Sequence, residues 1–225
     1  MCGRFIISKK IDEITERFHV DVEKNIYKII YNATPTQFLP VITNTEPTKL
    51  NFFKWGLIPF WANDISIAVK LINARAESVA EKPSFRNSFK SKRCLVVADG
   101  FYEWKKIKQE KQPYRIYMKN ESLFAFAGLW DSWKNKNNEV INSFTIITTE
   151  PNSLVGKIHN RMPVILNKED EHKWLNENLS VADAKNLLKA FSAEKMMAHP
   201  VSKLVNLPSN NSPELIQTTE KTGLF

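Results

Sequence analysis

Cys2, followed by Gly3, Arg4 and Phe5, has a chemistry open to no other cysteine of the chain. Removal of Met1 leaves Cys2 with an α-amine and a thiol on adjacent carbons. The amine can attack an aldehyde to give a Schiff base, and the thiol can close onto the imine carbon as a five-membered thiazolidine. An internal cysteine cannot do this, because its nitrogen is a delocalised amide. An α-amine titrates at about 7.7–8.0, so a neutral fraction exists near physiological pH. Cysteine is small enough to permit Met1 removal. The alternative is an arbitrary residue after a start codon.

Three other stretches carry residues suited to such chemistry. In Asp99-Gly100-Phe101-Tyr102-Glu103-Trp104 one carboxylate stands among aromatics. On a strand, Phe101 and Glu103 share one face and Tyr102 and Trp104 the other. A core-facing carboxylate is costly unless paired or protonated, and its pKa rises toward the range useful for proton transfer. The alternative is an exposed edge-strand glutamate. In Ile158-His159-Asn160-Arg161-Met162-Pro163, His159 can shuttle protons and Arg161 can grip a phosphate bidentately; a structural histidine and a salt bridge are the plain alternatives. In Asn73-Ala74-Arg75, an amide and a guanidinium two apart suit a sugar or carbonyl oxygen beside a phosphate, unless Asn73 caps a following helix. Trp55, Phe60 and Trp61 with Arg75 combine aromatic faces and a cation, as single-strand binders do. Trp55 fits a core corner equally well; Trp61, between a proline turn and Asn63-Asp64, fits it less well.

These residues need a scaffold. A chain of 225 residues with 43% hydrophobic and 25% charged content can bury a sizeable core. Its apolar runs fall far short of a membrane span, and no signal peptide is visible, which places the protein in the cytoplasm. Two cysteines supply neither a disulfide framework nor a zinc site, and Cys94, in an apolar run, reads as a buried small hydrophobe. No cofactor motif is found. A formal charge of +8 favours a polyanionic partner, although scattered lysines would give the same sum.

The patterning predicts a helix from a Ser8 cap to about His19, with Ile11, Ile14 and Phe18 on one face. Strands are expected at 41–43, 50–57, 93–98, 101–105, 114–118, 123–129, 142–148 and 163–166. Residues 73–77 read as a strand-to-helix transition, and 85–90 and 151–159 as short helices. Two further helices are expected at 168–178 and 180–191, the second capped by Ser180 with Asp183. Strand and loop punctuated by Pro200, Pro208 and Pro213 close the chain. No repeat or linker divides it, so one domain over 1–225 is expected. The fold class is α+β, with a mixed, largely antiparallel, barrel-like β core flanked by helices.

Taken together, Cys2-Gly3-Arg4-Phe5, Trp55-Gly56-Leu57-Ile58-Pro59-Phe60-Trp61, Asn73-Ala74-Arg75-Ala76-Glu77, Asp99 to Trp104 and Ile158 to Pro163 resemble the SOS-response-associated peptidase family of abasic-site processing proteins. The resemblance continues through His199-Pro200-Val201-Ser202 and Glu214-Leu215-Ile216-Gln217. It implies a covalent cross-link between Cys2 and an abasic site in single-stranded DNA. By the same resemblance Cys2 is the nucleophile, Asn73 orients amine and sugar, Glu103 carries protons, and His159 assists ring opening and reversal. Arg4, Trp61, Arg75 and Arg161 match positions lining the DNA path. The resemblance implies no metal or cofactor, and a monomer is expected. Two positions depart from the family pattern: Asn160 stands where Asp is frequent, and Val97 where Pro is common. Two other functions remain open at this stage: a thiol peptidase acting at its own N-terminus, and a non-covalent nucleic-acid-binding module.

Overall fold

The structure is a computed structural model and describes residues 2–22 and 27–219. Its elements in chain order are β1 (Phe5–Ile7), α1 (Ile11–Phe18), β2 (Ile30–Ala33), β3 (Phe38–Thr43), β4 (Glu46–Trp55), β5 (Asn73–Arg75), α2 (Arg86–Ser91) and β6 (Arg93–Ala98). There follow β7 (Gly100–Ile107), β8 (Glu110–Met118), β9 (Phe124–Lys134), β10 (Val140–Thr149), β11 (Met162–Pro163), α3 (Lys168–Leu175), α4 (Val181–Asn186) and β12 (Met196–Pro200). Short 3-10 turns fill several connections.

Strands β10, β4, β3, β6 and β9 pair in that order, and β9 pairs back to β10, which closes a barrel. The β4–β10 contact is parallel and the other four are antiparallel, so the barrel is mixed. Strands β5 and β11 both add to β10. A second, five-stranded sheet runs β12-β8-β7-β1-β2. This agrees with the α+β, barrel-like expectation. No helix among the described residues is long and apolar enough to cross a membrane.

Sheet and barrel meet through aromatic rings. Phe5 of β1 lies 5.0 Å from Trp55 and 5.8 Å from Phe126, both edge-on, the geometry ring quadrupoles favour. The continuous apolar run of β9 needs cover on both faces. Barrel side chains cover one face; α2 and α3 lie against the other, with Phe89 and Trp174 packed 6.0 Å apart. Fully buried Arg93 ties the two helix ends together, donating to the carbonyls of Phe89, Lys90, Trp174 and Asn176. A cation among such carbonyls is well placed.

Several boundaries differ from the sequence expectation. Ser8 does not cap α1: its N–H and hydroxyl both donate to Asp99 Oδ2, and the helix starts after Lys10, whose N–H donates to Glu13. Strand β3 begins at Phe38 because β4 pairs along it, and Pro40 lies just outside the pairing with β6, where no N–H is needed. No helix follows Asn73. Residues 73–75 add to β10, and Ala76 N–H donates to Thr148. Over 151–159 only a 3-10 turn forms, since Asn152 Oδ1 takes the N–H groups of Leu154 and Val155. Ser180 caps α4 through Asp183 N–H as expected, but that helix ends at Asn186. After β4 the chain turns at Gly56, whose φ is 120° and whose missing side chain would sit 2.6 Å from the Ala68 carbonyl oxygen. Only glycine suits that position.

Candidate active site around Cys2

Register brings Glu103 to Cys2. Strand β1 runs antiparallel to β7 with Phe5 opposite Phe101, and Tyr102 N–H donates to Arg4 O. Continuing that register places the chain around Cys2 beside Glu103 and Trp104. Glu103 faces inward on the side of Phe101 and is 2% exposed, while Tyr102 and Trp104 enter a separate cluster with Val205 and Leu215. The exposed-edge alternative for Glu103 does not hold. Burial raises its carboxyl pKa above the ordinary range, and His159 opposes the rise.

The barrel supplies the other side. Asn73, at the start of β5, donates from Nδ2 to Cys2 O at 2.8 Å. Its Oδ1 is buried and has no hydrogen-bond partner among the described residues. Cys2 has no solvent exposure. Its thiol lies 3.8 Å from Arg4 O, and burial followed by the charge of Glu103 pushes its pKa far up. The thiol is therefore held protonated. Both cysteines are free thiols. Met1 lies outside the described residues.

His159 sits in the loop between β10 and β11. Its Nδ1 lies 3.8 Å from Glu103 Oε1. The same nitrogen is 3.1 Å from the N–H of Arg161 and 3.2 Å from its carbonyl oxygen. With Nδ1 bare the ring accepts from that N–H, and with Nδ1 protonated, in the neutral tautomer or the cation, it donates to that carbonyl or to Glu103. Asn73, Cys2, Glu103 and His159 thus form a contiguous group, although they span 158 positions of sequence from 2 to 159.

The residues expected along a DNA path are in different states. Arg4 is held by Asn32 Oδ1 at 2.9 Å, Val205 O at 2.6 Å and Asn206 O at 3.2 Å, which anchors the late loop to the start of β1. Arg161 forms a bidentate pair with Glu77 at 2.6 and 3.0 Å and donates to Thr148 O at 2.7 Å. Arg75 is exposed, and no hydrogen bond or ion pair of its side chain is formed with the described residues. Trp55 is fully buried, whereas Phe60 and Trp61 are 56% and 46% exposed. Their turn is clamped at three points: Ile58 N–H to Ser143 Oγ, Phe60 N–H to Asp131 Oδ2, and Trp133 Nε1 to Ala62 O. From Ser143 to Thr148, beside Arg75, is five residues of strand, about 17 Å.

Sequence reasoning gave Glu77, Thr148, Ser143 and Asp131 no role. Glu77 stood inside a motif already singled out, but its partner Arg161 is 84 residues away. A cavity of about 660 Å³ lined by Leu123, Phe124 and Phe191 contains none of the expected site residues. Cys2 is instead packed shut.

The sequence and the overall fold match those of known proteins. The family described as SOS response associated peptidase (SRAP) matches residues 1–208. The chain belongs to this family. The abasic site processing protein YoqW of Bacillus subtilis is 47% identical over 223 residues, covering 97% of this chain and 100% of the relative. The abasic site processing protein HMCES of Xenopus tropicalis is 34% identical over 239 residues, covering 90% of this chain and 71% of its own length. A solved Bacteroides thetaiotaomicron protein superposes with a TM-score of 0.89 at 36% identity, over 96% of this chain and 99% of that one.

Proposed function

We propose that this SRAP protein senses abasic sites in single-stranded DNA and seals them in a thiazolidine cross-link at Cys2. The observation that carries this reading is the grouping of Asn73, Glu103 and His159 around the one residue able to become a 1,2-aminothiol. The reading is supported by the names of relatives that align along nearly the whole chain. It treats 1–225 as one domain.

An abasic site is a closed hemiacetal in equilibrium with a little aldehyde. Opening it moves a proton from the C1′ hydroxyl to the ring oxygen, a task for a positioned acid and base. His159 serves there, with Glu103 3.8 Å away to take or return the proton. The Cys2 amine then adds to C1′, and Glu103, whose hold on a proton burial strengthens, delivers the proton that lets the C1′ oxygen leave as water. The thiol adds to the iminium carbon, and its proton leaves through the Glu103 carboxylate. Aldehyde and aminothiol thus become thiazolidine and water. A Schiff base left open would expose the strand to β-elimination of the 3′ phosphate; ring closure removes the imine. Asn73 fixes the Cys2 carbonyl with Nδ2 and offers the buried Oδ1 to the amine or a sugar hydroxyl.

Arg75, without a partner among the described residues, and the rigidly held Trp61 supply phosphate contact and base stacking. Arg4 and Arg161 border the same path with their forks already engaged. A site completed by one chain supports action as a monomer, and the +8 charge supports residence at the cytoplasmic nucleoid.

The test is incubation of the protein, verified to begin at Cys2, with abasic single-stranded DNA, followed by a denaturing gel. A covalent band that resists heating supports the reading. Non-covalent binding alone, seen only on a native gel, overturns it.

A further inference from the structure

We propose that Glu77 is a positioning residue for the proton transfer, acting on His159 through Arg161. The proposal rests on the reading of His159 as a proton carrier. Its basis is a continuous set of contacts. The Glu77 carboxylate takes both terminal nitrogens of Arg161, at 2.6 and 3.0 Å. Thr148 O fixes the same guanidinium from β10, at 2.7 Å. The main chain of Arg161 brackets His159 Nδ1 with a donor at 3.1 Å and an acceptor at 3.2 Å. Arg161 is thus held at its side-chain end by Glu77 and Thr148, and at its backbone end it fixes the position of His159 Nδ1, which can accept from its N–H or donate to its carbonyl.

The fork of Arg161 is engaged in the structure: only 14% of its side chain is exposed, and Nε is buried with no partner among the described residues. Arg75, which also acts electrostatically on Glu77, is the exposed cation of the pair. The Arg161 fork holds Glu77's carboxyl below its usual range, so Glu77 is ionised and bidentate at neutral pH. Without it the guanidinium keeps a single strong acceptor and must turn to find others. The 159–161 turn then follows, and the bracket on Nδ1 opens. Among the described residues, Glu103 and Arg161 contact His159, with Glu77 and Cys2 one contact further away.

The experiment compares wild type, Glu77→Gln and Glu77→Ala, each beginning at Cys2. Single-turnover cross-linking to abasic single-stranded DNA is measured at saturating DNA across pH. Binding is measured separately with DNA carrying a tetrahydrofuran abasic analogue, which has no aldehyde. Glu77→Ala is expected to slow cross-linking about 10- to 100-fold, as small misplacements of a reacting group do. Its pH–rate profile is expected to be displaced from that of wild type, with affinity for the analogue within about threefold. Glu77→Gln keeps the shape and one acceptor and is expected to recover part of the rate. The Glu77 side chain is 49% exposed, so both variants are expected to fold, and a circular dichroism melt checks this. A wild-type rate and pH profile in Glu77→Ala overturns the proposal. So does a rate loss that more DNA restores, since Glu77 would then act in binding. Absence of adduct from wild type itself would instead defeat the reading of Cys2.

Discussion

Cys2 and Cys94 are the two cysteines of the chain, and neither has any solvent exposure. Burial pushes both thiols far up in pKa. Their surroundings differ in every other respect. Cys94 sits in β6 between barrel strands, with Gly128 opposite it on β9; a Cβ there would come 2.8 Å from the Cys94 sulfur. Its carbonyl takes the Trp174 indole N–H. Cys2 stands just ahead of β1, where an amide, a carboxylate and an imidazole converge. Burial without polar neighbours makes a packing residue. Burial among groups that exchange protons makes a site, because those groups are tuned and aimed by the same exclusion of water.

The sharpest way to break this comparison is to remove each thiol. Cys2→Ala is expected to abolish the stable adduct, leaving a transient Schiff base that borohydride traps. Extra residues placed before Cys2 are expected to abolish both species, because an amide nitrogen does not condense. Cys94→Ala is expected to cross-link at the wild-type rate. Denaturing gels and mass spectrometry check all three; a stable adduct from Cys2→Ala would end the aminothiol reading.

Glu103→Gln comes next in size. It keeps shape and packing but cannot exchange a proton, and a general acid–base group is worth about 10²–10⁴-fold in rate. Adduct formation should slow by that order while binding to the tetrahydrofuran analogue persists. Unchanged single-turnover kinetics would make Glu103 a packing residue like Cys94.

Arg75→Ala is smaller. A protein that neutralises one phosphate fewer on single-stranded DNA has a slope of log affinity against log salt shallower by about 0.7. Salt titrations by fluorescence anisotropy read this directly. The engaged Arg4 should behave differently: its removal loosens the 205–206 loop and lowers the melting temperature.

Much of this was legible in the sequence for a physical reason. Strands such as Arg93–Ala98 match their expected limits because six buried residues in a row leave little choice of register. The facing of Glu103 with Phe101 followed from the two-residue repeat alone. What failed was decided at long range. Ser8 is an adequate cap locally, yet Asp99, 91 residues away, takes its donors. Asn73 could cap a helix, but β10 captures the segment and its amide goes to Cys2. For Arg161 the sequence left a phosphate grip and a salt bridge both open, because its partner Glu77 is 84 residues away.

The smallest effect separates the two regions by pH rather than by activity. Burial raises the folded-state pKa of Glu103 above that of the unfolded chain. Between the two values the folded protein holds a proton that the unfolded chain has lost, so stability falls as pH rises through that window. The slope is at most about 1.4 kcal/mol per pH unit for one carboxyl. Glu103→Gln lacks this titration. Its melting temperature relative to wild type should therefore climb from about pH 4.3 upward, where the unfolded glutamate ionises, and level off once Glu103 is ionised in the folded protein. Cys94→Ala should instead lose about 1 kcal/mol, as small buried truncations do, by the same amount across this range. No titration of Cys94 enters it, because burial has moved that thiol further up, above this range. Melts of wild type and both variants at half-unit steps from pH 4 to 8 check the pair. A pH-independent difference for Glu103→Gln would mean that the carboxyl keeps its ordinary pKa in the fold, and with it would go the reason for reading Glu103 as a tuned proton carrier.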